Sequence, residues 1–354
     1  MKVNRILFVN RRLSVGGAER VMTLLANAMA ERGINVDMVV LQNMEQTYEV
    51  SPKVNLVQFK HESLNPIFRG IKRIVALRKI IKKGSYDAII SFMHIDSFYT
   101  LIAGFGMRNI IISERNDPRR FNKLYVKIGR RLLYPMAKQL VFQTDEAMSC
   151  FPRKIREKSC IIPNPINNNL PQPYEGIREK IVVAVGRMVP QKNFKLAIDA
   201  FELVHKEFPE HKLIIYGDGP LKKEMMEYAR EKGLENFIDF PGFVKDIIEK
   251  IRKADVYISS SDFEGISNSM LEAIAMGIPS VCTDCPVGGA AMIIKNNEKG
   301  ILVPVGDKFA LYDGIKRILS DKDFALKLSR NAVKIRKEYS IDNICQKWLD
   351  VIDK

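Results

Sequence analysis

"IVVAVGRMVPQKNFKLAIDAFELVHKEF", residues 181–208, joins a short run rich in β-branched residues to an amphipathic one. The loop between them holds Gly186, Arg187, Pro190 and Lys192. The first run has the composition of a buried strand, and the second has the apolar spacing of a helix. Strand, loop and helix together are the unit from which doubly wound parallel sheets are built. The same unit opens the chain. "RILFVN" (5–10) reads as a strand and "GAERVMTLLANAMAERG" (17–33) as a helix, with Val21, Leu24, Leu25 and Ala28 on one face and Gly33 as its stop. Further strands are expected at 35–42, 86–93, 109–114, 139–144 and 159–165, with a helix at 67–84. A polar, proline-rich break follows, "NPINNNLPQPYEGIREK" (164–180). The alternation then restarts, with strands at 181–188, 211–220, 237–243, 255–261 and 278–284 and helices at 194–208, 221–233 and 244–254. The expectation is two doubly wound α/β domains in series, facing a cleft.

A length of 354 residues suits two such domains, each large enough for its own core. No window approaches the roughly 18 apolar residues of a membrane span, and "MKVNRILFVN" (1–10) lacks the layout of a signal peptide. The five cysteines are scattered, which predicts reduced thiols and a cytoplasmic setting. "CTDC" (282–285) has CxxC spacing without a second pair, so it does not read as a zinc site. The net charge of +15 calls for an anionic partner: nucleic acid, an anionic membrane or a phosphorylated substrate. Residues 69–83 and residues 118–138 each hold seven Lys/Arg and no acid.

Three loops carry the candidate chemistry. In "DFEGISNSMLEA" (262–273) a helix is expected to start near Ser267 or Asn268 and to end at Gly277. Its first free N–H groups form an anion site, and Gly265 lets a ligand approach the backbone. Glu264 precedes the helix, and Glu272 lies one turn inside it, on the face of Asn268. A carboxylate beside a phosphate would repel it, so these acids suit neutral vicinal hydroxyls such as those of sugars. Taken alone, they equally read as a dipole-stabilising acid and a solvated one. In "VGRMVPQKN" (185–193), Arg187 and Lys192 at a strand's C-terminal end suit a diphosphate, or are two loop cations of a basic protein. In "NRRLSVGGAER" (10–20), Gly16 and Gly17 permit close approach to phosphate or sugar; the spacing is not GxGxxG, so a nicotinamide dinucleotide site is not supported.

Together "GGAER" (16–20), "IPNP" (162–165), "GRMVPQKN" (186–193), "GDGP" (217–220) and the E-x7-E of "EGISNSMLE" (264–272) resemble the GT-B glycosyltransferases of family 4, over nearly the whole chain. "SERNDP" (113–118) and "TDCPVGGA" (283–290) resemble the subgroup that builds bacterial capsular and other surface polysaccharides or lipid-linked oligosaccharides. The resemblance implies a retaining, metal-independent transfer of a hexose or N-acetylhexosamine from a nucleotide-sugar, with UDP as the expected nucleotide and GDP-mannose as the alternative. It implies that Glu264 holds the donor sugar, Glu272 the ribose, and Arg187 and Lys192 the diphosphate. Gly186, Gly217, Gly219, Phe243 and the backbone at Gly265, Ile266, Ser267 and Asn268 complete the donor set, with Gly16 and Gly17 contributed by the first domain. Many members carry a histidine where this chain has Arg115. His94 in "SFMHID" is therefore the candidate base or sugar contact, and Arg115 and Asp117 are candidates for the acceptor side. The fold implied is residues 1–165 plus a returning helix at 338–354, a linker at 166–177 and a nucleotide-sugar domain at 178–336. No cofactor is implied. The one D-x-D, Asp321–Asp323, reads as a helix N-cap with a first-turn acid rather than a metal site.

From Phe121 onward, Phe121, Leu124, Tyr125, Ile128 and Leu132 form one stripe among Lys123, Lys127, Arg130 and Arg131. Such a helix either lies on an anionic membrane or buries the stripe in its own domain. With the resemblance, this points to a peripheral enzyme at the inner face of the plasma membrane, acting on a polyprenyl-diphosphate-linked saccharide. A sugar-nucleotide epimerase or a phosphorylase of the same fold is the competing enzyme class. A nucleic-acid-binding protein would need aromatics interleaved with exposed cations, and here the aromatics fall on helix faces and in strands.

Overall fold

The computed structural model describes residues 3–14, 16–42, 48–59, 65–295 and 297–354. The chain divides into two compact units, residues 1–165 with 341–354, and residues 166–340. The strands of the first are β1 (Arg5–Asn10), β2 (Asn35–Val40), β3 (Val54–Gln58), β4 (Ala88–Phe92), β5 (Ile110–Ser113), β6 (Gln139–Phe142) and β7 (Ser159–Ile161). They pair in the order β3-β2-β1-β4-β5-β6-β7, all parallel. The second unit holds β8 (Glu179–Val185), β9 (Lys212–Tyr216), β10 (Ile238–Gly242), β11 (Ala254–Ser259), β12 (Ser280–Thr283) and β13 (Ile301–Val303), again all parallel, in the order β10-β9-β8-β11-β12-β13.

Parallel strands buried on both faces need continuous apolar runs, and Ile6–Val9 and Ile89–Ile90 are such runs, all fully buried. Each sheet reverses its strand order once, at β1/β4 and at β8/β11. In open α/β sheets the loops leaving the strand ends at such a reversal are where ligands bind.

Residues 166–177, read from composition as a linker, fall within the second unit, where Ile166 is buried and donates its N–H to Tyr339 O at 2.7 Å. The C-terminal helix Ile341–Asp353 belongs to the first unit. It buries Trp348 against Phe92, with ring centroids 5.6 Å apart, and Lys138 Nζ donates to Ile352 O at 2.9 Å. The basic run at 119–138 is not one helix. It is a short turn at Pro118–Arg120, a helix at Leu124–Leu133 and a second turn at Tyr134–Met136.

Candidate active site

Two adjacent strands of the second unit carry the main cluster. After β8 the chain runs through Gly186–Asn193 into the helix Phe194–Glu207; after β11 it runs through 260–267 into the helix Asn268–Ala275. The two loops are laced together. Lys192 Nζ meets Glu264 Oε2 at 2.5 Å, Asn193 Nδ2 donates to Asp262 Oδ1 at 2.7 Å, and Ser260 Oγ donates to Lys192 O at 2.9 Å. Asn193 sits in the left-handed region (φ 42°), and its side chain caps the helix by accepting from Leu196 N at 3.2 Å. Arg187 is exposed at the loop's start.

The helix Asn268–Ala275 begins with Ser267 as its N-cap residue, but the Ser267 hydroxyl turns to Ser269 Oγ at 3.1 Å instead of capping. Ser269 Oγ donates to Val185 O at 3.0 Å, which ties this helix start to the end of β8. Ile266 and Ser267 are buried, and Glu272 is buried one turn into the helix. Gly277 follows the helix at φ +71°, the left-handed conformation of a C-terminal stop.

Gly217 and Gly219 have a different place. At Gly217 (φ +125°) an added Cβ would lie 2.0 Å from Gly186 O; at Gly219 (φ +158°) it would lie 2.4 Å from Met188 O. Gly186 N donates to Tyr216 O, and Met188 N to Asp218 O, each at 2.9 Å. The GDGP turn is thus a backbone support under the Arg187 loop. Phe243 is half exposed just beyond β10.

A third loop braces Glu264. Glu264 N donates to Pro286 O at 2.8 Å, Val287 N returns a bond to Glu264 O at 3.2 Å, and Thr283 Oγ1 donates to Ser261 O at 2.6 Å. An added Cβ at Gly289 would lie 1.9 Å from Gly265 O. Sequence reasoning used "TDCPVGGA" only as a marker of resemblance; its bracing role became visible when β12 was seated beside β11.

In the first unit the strand-order reversal brings the β1 loop beside the loop and helix after β4. Gly16 is extended (φ −171°) and precedes the helix Gly17–Glu31, and its N–H reaches Tyr48 Oη at 3.2 Å. His94 opens the helix His94–Ala103, buried with its ring 4.5 Å from that of Phe121, and burial lowers its pKa below the ordinary value. Asp96, two residues on, is buried and accepts the Arg11 N–H at 3.0 Å, pinning the β1 loop. Arg115 turns into the core, where its guanidinium lies 4.4 Å from the Phe92 ring centroid and 5.5 Å from that of Trp348 and donates to Ile162 O at 3.0 Å. Among the described residues no carboxylate pairs with it, and burial lowers its pKa to about 9. Asp117 is buried and caps the turn at 118–120, accepting from Arg119 N at 3.0 Å and Arg119 Nε at 2.9 Å. In the second unit, Asp321 caps the helix Lys322–Ala332 through Phe324 N at 2.9 Å, with Asp323 in its first turn.

Two family models cover almost the whole chain: "Glycosyltransferase Family 4" matches residues 15–170 and "Glycosyl transferases group 1" matches residues 170–335. The chain belongs to the family 4 glycosyltransferases of the GT-B fold. It is 27% identical over 355 residues to the GalNAc-α-(1→4)-GalNAc-α-(1→3)-diNAcBac-PP-undecaprenol α-1,4-N-acetyl-D-galactosaminyltransferase of Campylobacter jejuni, covering 98% of each chain. It is 29% identical to the N-acetylgalactosamine-N,N'-diacetylbacillosaminyl-diphospho-undecaprenol 4-α-N-acetylgalactosaminyltransferase of the same organism, covering 92% of each. The structure of Anabaena HepE with UDP and glucose superposes with a TM-score of 0.84 at 19% identity, over 99% of each chain, a likeness of fold.

Within this glycosyltransferase the Asp96 pin makes a pH-dependent prediction. Burial pushes its carboxyl up to about 7, opposed by Arg11 and Arg12 and reinforced by Glu19. An unfolded aspartate titrates near 3.9, so between about pH 4 and pH 7 the unfolded chain is the more ionised state. The contribution of Asp96 to stability is therefore greatest below about pH 4 and falls as the pH rises through about 7. Asp96→Asn, which stays neutral and can still accept the Arg11 N–H, is expected to match the parent near pH 4 and to exceed it by up to about 4 kcal/mol near pH 8. Urea titrations at the two pH values check this; a constant difference between the proteins would refute it.

Proposed function

We propose that this glycosyltransferase moves an N-acetylhexosamine or hexose from UDP, with retention of configuration, onto a polyprenyl-diphosphate-linked saccharide at the inner face of the plasma membrane. The observation that carries the donor side is the Lys192–Glu264 pair, held between the ends of β8 and β11 beside the start of the helix Asn268–Ala275. The acceptor class draws on the two Campylobacter relatives, whose names specify undecaprenyl-diphosphate-linked acceptors.

In this reading the donor diphosphate lies at the N-terminus of that helix, where backbone N–H groups and the helix dipole favour an anion. Arg187 and Lys192 supply the cationic charge. Glu264 accepts hydrogen bonds from the donor sugar, and Glu272 from the ribose. The bond from the anomeric carbon to the phosphate oxygen breaks, and its electron pair leaves on UDP. The acceptor hydroxyl bonds to the anomeric carbon on the same face, and its proton passes to the departing phosphate. Stabilising the charge that develops on that phosphate is the largest service the site renders, and fixed cations and amides do this without reorganisation. The reading assigns it to protein groups and needs no metal.

Calorimetric titration with UDP, GDP and ADP in the presence of EDTA tests the donor site. UDP is expected to bind selectively, and Glu272→Ala and Arg187→Ala are each expected to weaken binding at least about tenfold, as for loss of a charge-assisted hydrogen bond. Failure of a folded sample to bind any nucleotide would overturn the reading, and selective binding of GDP would redirect it to GDP-mannose.

A further inference from the structure

Among the described residues of the first unit, Arg115 is a buried cation without a counter-charge. Its guanidinium lies beside two rings, 4.4 Å from the Phe92 centroid and 5.5 Å from that of Trp348. One edge of it is used by the protein: Nη1 donates to Ile162 O at 3.0 Å and to Asn164 Oδ1 at 3.4 Å. Nε and Nη2 are buried, and neither has a hydrogen-bond partner among the described residues. Trp348 is fully buried, and its Nε1 is likewise unpartnered. Three orphaned nitrogens thus lie on two adjacent side chains, and all three can only donate.

Buried polar groups are nearly always satisfied, so this cluster calls for an acceptor. Its neighbours do not supply one. The faces of Phe92 and Trp348 attract the positive charge but are weak acceptors for N–H groups. Asn164 Oδ1 already accepts from Gln143 Nε2 at 2.7 Å. Glu114, the preceding residue, turns to Arg130 Nη2 at 2.8 Å. The titratable group that acts on Arg115 is Cys160, and burial pushes its thiol up, so it is neutral near pH 7. A guanidinium removed from water and given no anion is destabilising.

Water could accept these N–H groups, but it carries no charge and needs acceptors for its own hydrogens. An anion accepts from every side and neutralises the guanidinium. It has to be small, since Arg115 is 7% exposed and Trp348 0%, and it has to lack donors of its own. A halide meets both conditions. We infer that the Arg115–Trp348 contact is a binding site for a small monovalent anion, chloride or another halide, held by Arg115 Nε and Nη2 and Trp348 Nε1. Four segments meet there: the end of β4 at Phe92, the loop after β5 at Arg115, residues 162–164 after β7, and the helix Ile341–Asp353 at Trp348. The anion therefore fastens the returning C-terminal helix to the strand ends. The inference is independent of the donor and acceptor readings.

Trp348 is the only tryptophan of the chain, so its fluorescence reports on this contact alone. Bromide, which quenches indole emission on contact, is titrated into the full chain against gluconate, an anion too large for the site, at constant ionic strength. Quenching is expected to saturate, to be reversed by chloride, and to be lost in Arg115→Met, which keeps a long side chain without charge or donors. Thermal unfolding gives a second readout. Above half-saturation, each tenfold rise in chloride is expected to raise the parent's Tm by about 3–5 °C. The rise is expected to be smaller in Trp348→Phe, which keeps a ring and loses the donor, and absent in Arg115→Met. The parent's two responses stand without any variant. Quenching that grows linearly with bromide, or a parent Tm indifferent to chloride, would overturn the inference and give the N–H groups to water. Saturable quenching retained by Arg115→Met would overturn the assignment to Arg115.

Discussion

Lys192→Ala is expected to lower kcat about 10²–10³-fold, the scale seen when one preorganised charge-stabilising group is removed, and to weaken UDP binding as well. Glu264→Ala is expected to lower kcat comparably while leaving UDP binding intact or tighter. The difference in sign follows from the pair. Lys192 and Glu264 are 2.5 Å apart and only partly exposed. Without the lysine, a carboxylate stands uncompensated next to the proposed diphosphate position and repels it. Without the glutamate, the ammonium is left to the diphosphate, but the sugar loses its anchor. The two losses should not add, because the two residues touch each other and, in the proposed reading, act on one bound donor. Steady-state kinetics and UDP titration on the two single variants and the double variant check this. Parent-like kcat in Lys192→Ala would remove the lysine from the mechanism, and equal loss of UDP affinity in both variants would contradict the division of roles.

The second large effect is on stability. Gly217→Ala is expected to cost about 3 kcal/mol or more, the sum of an unfavourable backbone conformation and a forced backbone shift. The left-handed φ of +125° is one source, and the approach of an added Cβ to 2.0 Å from Gly186 O is the other. The obstructing atom is backbone at the end of β8, so it cannot swing aside, and the Arg187 loop would be displaced with it. Gly16→Ala supplies the contrast. Gly16 is extended (φ −171°), and the atoms nearest an added Cβ are those of the carboxylate end of Glu19, a flexible side chain. Its expected cost is below about 1 kcal/mol, within the range of surface substitutions. Denaturant unfolding of both variants measures the difference. Equal costs would show that the GDGP turn is not a rigid support for the Arg187 loop.

Much of the architecture was legible because it is local. Apolar runs such as Ile6–Val9, helical spacing in 17–33 and 194–208, and Gly-rich or basic loops after strands are properties of neighbouring residues, and their alternation leads directly to two parallel α/β units. Elements with weak local signals were missed. β3 (Val54–Gln58) is an edge strand with Asn55 exposed, so its apolar pattern is diluted. The helix His94–Ala103 was left unassigned after the strand at 86–93, because its first turn buries His94, Asp96 and Ser97, polar residues that break the apolar period. The strand at 301–303 has only three residues.

The sequence alone determined the two-domain parallel α/β class, the residue types of the candidate site loops and the existence of a basic stripe around Ile128. The tertiary structure decided what those features face. It seated Lys192 on Glu264 across 72 residues of chain, made the GDGP glycines a support for the Arg187 loop, and brought the 283–290 loop under Glu264. It turned Arg115 into the core against Phe92 and Trp348, and it put Arg130 inward with Leu124 and Leu132 outward. Periodicity records which residues share a face of one element. Which face is buried depends on the neighbours that strand order supplies, and those neighbours come from distant parts of the chain.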